Sequence, residues 1–192
     1  MTQQANPMER ATNYLHRQGA KSFEELEALM VKSGADWDAC LRKVNEEQAA
    51  FQPEPGEHVR TPVSGEGPRW CVKEVIGHYL VTERSLNSTV AGSAGVEPPP
   101  DPGPAVSQMG AQSTEYEALP LDMLREKLSE FVEETVRLIG ALRSSEDLAR
   151  TFPHPVFGPL NMKEWLVFHG LHAMDHIQQI ERIKTADGYP KA

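Results

Sequence analysis

The stretch LNMKEWLVFHGLHAMDHIQQIERIK, Leu160–Lys184, decides the fold class. Its apolar residues recur at three- and four-residue steps, which is the spacing of one face of an α-helix. Asn161, followed three residues later by a glutamate, is a capping-box start and places the helix N-terminus at the beginning of the stretch. Within two turns of this helix stand His169, His172 and His176. The stretch therefore predicts an amphipathic helix that carries three histidines on one side.

Helical periodicity recurs in three further segments, so the chain is predicted to hold four helices. The other three are Ser22–Phe51, Trp70–Leu86 and Leu119–Arg143. Two polar connectors, 53–69 and 93–116, separate them, and residues 97–104 (EPPPDPGP) cannot be helical because proline lacks an amide donor. No segment alternates like a strand, and residues 152–159 (FPHPVFGP) are interpreted as a turn. Four helices with long connecting loops predict an all-α four-helix bundle.

Composition bounds the function and the domain organisation. The net charge of −9 argues against a nucleic-acid partner, and no apolar run approaches the ~20 residues of a membrane helix. The N-terminus lacks an apolar secretion signal, and two cysteines make no disulfide framework. We expect a cytoplasmic protein without membrane contact. Residues 1–21 are predicted to be an N-terminal extension, 22–186 the bundle domain and 187–192 a C-terminal tail.

The histidine spacing permits a metal site on the last helix. Side chains three or four residues apart on a helix lie about 5–6 Å from each other, so His172 can share an ion with His176 or with His169. Two histidines are half of a site, since a catalytic zinc-type centre takes three protein ligands and an open position. The leading candidate for the third is His78, in the middle of the second helical segment, where an inward-facing histidine needs a partner. A bundle in which these histidines are merely hydrogen-bonded, or line a pocket without metal, stays open.

Other metal classes are excluded by motif. The chain has neither the H-E-x-x-H of zincins nor the Glu-x-x-His pairs of di-iron bundles. An all-nitrogen site remains, which suits Zn, Ni or Fe. We expect the other histidines to be solvent-exposed, namely His16 in the extension, His58 in the first connector and His154 in the Pro-rich turn.

Two motifs are informative together: WCVKEVIGHYLVTE (70–83) and FGPLNMKEWLVFHGLHAMDHIQQI (157–180). They resemble the DinB-like superfamily of bacterial metal-binding four-helix bundles, of DinB/YfiT type. The family pattern is Trp-Ser/Thr-x-x-Glu-x-x-x-His on the second helix and a His-x-x-x-His pair followed by Gln on the fourth. The matching positions, in chain order, are Trp70, Glu74, His78, His172, His176 and Gln179. Cys71 departs from the pattern, since it stands where the family has a hydroxyl residue.

The resemblance implies a function as well as a fold. His78, His172 and His176 would bind a divalent metal (Zn, Ni or Fe), with waters completing the shell. Three neighbours would orient these ligands: Glu74, His169 and Gln179. Relatives include transferases and isomerases that use small thiols such as bacillithiol or mycothiol, and proteins classed as metal-dependent hydrolases.

The prediction is accordingly a metal-dependent enzyme that activates a thiol or water for a small-molecule substrate, with a low-molecular-weight thiol as a candidate cosubstrate. Two alternatives stay open. One is a non-catalytic bundle that binds metal or a small molecule, for example in a stress response. The other is a purely structural dimerisation bundle. The resemblance also implies a homodimer.

Overall fold

The computed structural model describes residues 7–100, 114–145, 148–154 and 156–191. Within these ranges the chain forms seven α-helices, a short 3₁₀-helix and one β-hairpin. The helices are α1 (Pro7–Gly19), α2 (Phe23–Leu41), α3 (Glu46–Ala50), α4 (Val72–Ala94), α5 (Thr114–Glu117), α6 (Leu121–Leu142) and α7 (Met162–Ile183). The 3₁₀-helix is Glu57–Val59, and the strands are β1 (Thr151–His154) and β2 (Gly158–Asn161).

The four long helices form the predicted bundle. α2 packs against α6 and α7, and α4 packs against the same two helices, so each long helix has two long neighbours. Aromatic side chains fill the centre: the rings of Trp37 and Tyr79 lie 5.0 Å apart, and those of Tyr79 and Phe131 lie 5.6 Å apart. The three side chains are fully buried. The all-α four-helix bundle is thus confirmed.

The predicted first helix is two helices. α2 begins at the expected capping box on Ser22, but it ends at Leu41 and the chain restarts as α3 at Glu46. The restart has a local cause, because the Asn45 side chain accepts a hydrogen bond from the Gln48 amide (2.9 Å) and so caps a new helix. The sequence analysis predicted one helix here because the apolar spacing is continuous.

Helix α1 was not predicted. It packs against α7 with Ala11 and Leu15 buried, but its few apolar residues stand among mostly polar ones, so the sequence analysis assigned no helix there. A side-chain contact anchors it, since His16 Nδ1 lies 2.8 Å from Glu164 Oε1 at the start of α7. The described part of residues 1–21 is therefore a helix on the bundle surface.

The β-hairpin was also not predicted, and the interpretation of residues 152–159 as a turn alone is wrong. β1 and β2 pair antiparallel with Phe152 opposite Leu160 and with Pro153 opposite Pro159. Proline is tolerated here because both strands of a two-stranded sheet are edge strands, where a missing amide can face away from the partner. The hairpin runs directly into α7 and sets the position of its first turn.

The Pro-rich segment is described in part. Residues 97–100 are non-helical, as predicted, and residues 101–104 lie outside the described residues. Within the part of the chain that the structure describes, no helix has the length and apolar character needed to cross a membrane.

Candidate metal centre

Three histidines and one glutamate converge inside the bundle. His78 comes from α4, His172 and His176 come from adjacent turns of α7, and Glu66 comes from the connector before α4. One ligand atom from each of the four lies within 4.8 Å of the others. Imidazole nitrogens and a carboxylate oxygen are donors for Zn, Ni or Fe. The cluster therefore fits a divalent metal, and it brings together the three histidines that the sequence singled out.

Aromatic rings enclose the imidazoles. The ring of Trp70, just before α4, lies 4.7 Å from that of His78 and is stacked 6.2 Å from that of His176. On the other side Phe168 is stacked on His172 at 5.1 Å. The three imidazoles are buried as a result. A buried imidazole needs a partner for each ring nitrogen, which makes the surrounding hydrogen bonds informative.

The tautomer of His176 follows from Gln179, one turn further along α7. The Gln179 Nε2 group donates to the carbonyl oxygens of Glu66 (3.2 Å) and Gly67 (2.9 Å), which fixes the orientation of the amide. Its Oε1 atom therefore faces His176 Nδ1, 2.9 Å away, and accepts a hydrogen bond from it. Because the proton of the neutral ring is on Nδ1, the Nε2 atom of His176 carries a lone pair.

The tautomer of His172 follows in the same way from Glu83 on α4. The Glu83 side chain is fully buried, and its Oε1 atom lies 2.5 Å from His172 Nδ1. Since a carboxylate accepts, Nδ1 carries the proton and Nε2 the lone pair. The second carboxylate oxygen of Glu83 accepts from His169 Nδ1. His169 is thus linked to the centre through Glu83 and not by direct contact with the group.

The two Nε2 atoms give the test of whether a metal fits. They lie 2.8 Å apart, and each carries a lone pair directed at the same space. Burial, with the neighbouring imidazoles, lowers the pKa of His172 to about 3 and that of His176 well below its ordinary value, so a bridging proton is disfavoured at neutral pH. A cation between the two nitrogens satisfies both, and neutral imidazoles with acceptors on Nδ1 are the usual state of histidine ligands.

Glu66 was missed by the sequence analysis. Its Oε2 atom lies 3.3 Å from His78 Nε2. Burial opposes the ionisation of Glu66, but the hydrogen bond to His78 and the electrostatic attraction of His78, His172 and His176 together outweigh it and lower the pKa of Glu66 to about 2, so the group carries an anionic donor. The sequence did contain one signal for this residue, because Glu66 stands between two glycines. In the structure Gly65 and Gly67 have φ angles of +75° and +67°. Such a turn presents one side chain from a tightly folded backbone.

Glu74 is placed elsewhere. Its Oε2 atom accepts from the Cys71 amide (2.7 Å) and from Gln52 Nε2 (3.3 Å) at the start of α4. These are the contacts of a helix-capping residue. The structure does not bring Glu74 into the group of three histidines and Glu66.

The remaining histidines divide into two kinds. His16 and His58 are exposed, as predicted. His154 is only 8% exposed, so its predicted exposure is wrong. The hairpin turns its ring inward, where Nδ1 accepts from the amides of Val156 (3.1 Å) and Phe157 (3.2 Å), and burial lowers its pKa to about 4.

A helical bundle whose interior holds a His/Glu group suited to a divalent metal defines the class of this protein. The chain belongs to the DinB superfamily, whose family model matches residues 29–180. That range contains all four residues of the group. The family resemblance seen in the sequence is therefore confirmed.

A curated relative adds similarity without an activity. The chain is 38% identical over 64 residues to "Uncharacterized protein YuaE" of Bacillus subtilis (strain 168), a match that covers 33% of this chain. The chain spans about a third of the length of that relative, 35%. The printed name of the relative assigns it no reaction, so the chemistry must be argued from the site.

Proposed function

We propose that the protein is a divalent-metal-dependent enzyme of thiol S-transferase or hydrolase type, in which His78, His172 and His176 hold the ion. One observation carries the proposal: the Nε2 atoms of His172 and His176 lie 2.8 Å apart, and hydrogen bonds hold a proton on each Nδ1. A cation held by both nitrogens would relieve the repulsion between two facing acceptors in a buried site. Zn, Ni and Fe all suit imidazole donors.

The metal would supply Lewis acidity, which lowers the pKa of a bound water or thiol towards neutrality. The residues of the chain supply the rest. Glu83 and Gln179 hold the imidazoles in one orientation, and the rings of Trp70 and Phe168 limit the access of water. In a site shielded in this way, electrostatic interactions with a reacting anion are stronger than in water. A small-molecule substrate, with a low-molecular-weight thiol as cosubstrate, is part of the same proposal.

The second candidate function is non-catalytic metal binding. It is favoured by the donor count, because Glu66 and three histidines could fill all four positions of a tetrahedral ion. If no entering ligand can displace Glu66, a site of this kind would stabilise the protein, or sense metal, without binding a substrate. The two candidates differ in whether the loaded protein turns over.

An activity screen tests the proposal. The metal-free protein would be loaded with Zn, Ni or Fe and assayed for transfer of bacillithiol, mycothiol or glutathione to an aromatic electrophile, and for ester and amide hydrolysis. We expect turnover that is lost in His172→Ala and retained in His58→Ala, which removes an exposed histidine from the connector. Full metal occupancy without turnover in any assay would support the non-catalytic function instead.

A further inference from the structure

Two residues of α7 close to His176, namely Asp175 and Gln179, hold the loop of residues 61–67 against this helix. The carboxylate of Asp175 accepts hydrogen bonds from two loop amides: Val63 to Oδ1 (2.9 Å) and Ser64 to Oδ2 (3.4 Å). Gln179 Nε2 donates to the loop carbonyls of Glu66 and Gly67. The 61–67 loop is therefore held to the same helix that carries two of the histidines.

The backbone at Glu66 is also fixed from within the loop. Its amide donates to Thr61 Oγ1 (2.9 Å), and its carbonyl accepts from the Thr61 amide (3.0 Å) as well as from Gln179. The Gly65 amide closes the turn onto the Thr61 carbonyl (3.1 Å). Both polar groups of the Glu66 backbone are thus committed. The fixed backbone holds the Glu66 carboxylate near the histidines, so less conformational entropy would be lost when this carboxylate binds a metal.

Glu66 is the most exposed residue of the group. Its side chain is 14% exposed, whereas that of His78 is 2% exposed. His172 is 7% exposed and His176 is fully buried. The rings of Trp70 and Phe168 pack against the imidazoles, so the Glu66 carboxylate is the donor of the group most accessible to solvent.

We propose that Glu66 is a fourth protein ligand of the metal, held in place by the Asp175 and Gln179 contacts to the 61–67 loop, and that it covers the side through which a small anionic ligand enters. This inference rests on the proposed metal centre. It specifies the chemistry of the entering ligand. Glu66 is an anionic donor, so a small anion such as a thiolate would compete with it most directly for the metal. A neutral replacement at Glu66 removes both a donor and the competing negative charge.

Cobalt(II)-substituted protein gives a direct readout that does not depend on activity, since its visible spectrum reports the number and kind of ligands. The variants would be Glu66→Gln, which is nearly isosteric, and Glu66→Asp, which keeps the charge but shortens the side chain. Glu54→Gln is the matched control, because Glu54 is exposed in the same connector. Azide and the thiolate of 2-mercaptoethanol would then be titrated into each protein.

The expected results distinguish a carboxylate that binds the metal from one that only lies near it. Glu66→Gln should bind cobalt roughly 10–100-fold more weakly, with an altered spectrum, because a ligand contact is lost. It should also bind azide more tightly than wild type does. Glu66→Asp should resemble Glu66→Gln in its spectrum, and Glu54→Gln should match wild type.

Two results would overturn the inference, and they differ from each other. Wild-type protein that binds cobalt, with unchanged spectrum, cobalt affinity and azide affinity in both Glu66 variants, would show that Glu66 is not a ligand while the metal centre stands. Wild-type protein that binds no cobalt would overturn the metal centre itself, and the Glu66 assignment with it.

Discussion

At the residue scale, the chemistry depends on which nitrogen of each imidazole carries the proton. Glu83 and Gln179 each accept a hydrogen bond from an Nδ1 atom, and this leaves the Nε2 atoms of His172 and His176 as facing acceptors. A helix places the two rings one turn apart, but the acceptors on the far side of each ring decide whether the pair can bind an ion. The proposed metal centre thus depends on these acceptors as much as on the proposed ligands.

Gln179 should be required for tight metal binding. In Gln179→Ala the Nδ1 proton of His176 loses its acceptor and the 61–67 loop loses two hydrogen bonds, so we expect metal affinity to fall roughly 10–100-fold. The control is Gln178→Ala, the neighbouring exposed glutamine. Competition with a chelator of known affinity measures both. Equal affinities in the two variants would contradict the role given to Gln179.

Gly67 should be more sensitive to substitution than Gly65. An alanine Cβ at Gly67 would lie 2.5 Å from Gln179 Nε2 and would also contact the Trp70 ring, whereas no atom of the described residues lies within 4 Å of such a Cβ at Gly65. Both glycines have positive φ angles, so both alanine variants incur about 1–2 kcal/mol of backbone strain. Urea unfolding should show the larger loss of stability for Gly67→Ala, together with weaker metal binding. Equal losses for the two variants would show that the space around Gly67 does not matter.

The residues of the candidate site that share a helix face could be predicted from the sequence, and Glu66 and Glu83 could not. His172, His176 and Gln179 share one helix face, and helical spacing alone brings them together. Glu66 depends on the path of a loop, which no local periodicity encodes. Glu83 was missed for another reason, since glutamate is almost never fully buried unless it is paired, and its two histidine partners come from a different helix.

At the scale of elements, the hairpin β1–β2 adds an aromatic cluster beside the metal centre. The ring of His154 lies 4.8 Å from those of Phe157 and Trp165 and 4.6 Å from that of Phe168, which is itself stacked on His172. The hairpin therefore helps to fix the position of His172 through Phe168. Its strands are short and proline-rich, so the sequence shows turn residues where the structure has an antiparallel pair.

His154 should make the protein acid-sensitive. Its pKa is about 4 in the folded protein and about 6.5 when unfolded, so between pH 8 and pH 5 the unfolded state takes up a proton that the folded state does not. The free energy of unfolding should therefore decrease as the pH is lowered from 8 to 5, and this group should contribute about 2 kcal/mol to the decrease. His154→Asn retains an acceptor for the two loop amides but cannot titrate.

Urea unfolding of the metal-free proteins at pH 8 and pH 5 measures this contribution. The variant should lose about 2 kcal/mol less stability between the two pH values than wild type does, even if it is less stable at both. An identical loss in the two proteins would show that His154 does not take up the proton.

The elements themselves were predictable where a long apolar stripe exists. α4, α6 and α7 begin within about two residues of their expected starts, because capping signals or a long apolar stripe mark them. α1 was missed because its few apolar residues stand among mostly polar ones, and the break between α2 and α3 was missed because the apolar spacing continues into the turn between them. Helix ends and short elements depend on local caps and tertiary contacts that periodicity does not report.

At the scale of the whole molecule, the candidate metal centre joins segments that are far apart in the chain. Glu66 lies in a connector, His78 on α4 and His172 on α7, so an ion would cross-link three parts of the bundle. A ligand that binds the folded state alone stabilises it by mass action. The homodimer and the cytoplasmic location implied by the family resemblance remain predictions at this scale.

Metal should therefore raise the melting temperature. At a free metal concentration 100-fold above the Kd the stabilisation is about 2.7 kcal/mol, which corresponds to roughly 5–10 °C for a domain of this size. Scanning calorimetry with and without a chelator measures the difference. The His172→Ala/His176→Ala variant should show no metal-dependent shift, and a shift equal to that of wild type would place the bound metal elsewhere.

The most direct test of the metal centre is the metal content of the untagged protein, measured by mass spectrometry after supplementation with Zn, Ni and Fe. Wild type and His58→Ala should each contain close to one metal ion per chain, and the His172→Ala/His176→Ala variant should contain almost none while retaining its helical circular dichroism. A wild type without metal, or a double variant that keeps its metal, would contradict the account. In the first case the buried histidines would serve only the packing of the bundle.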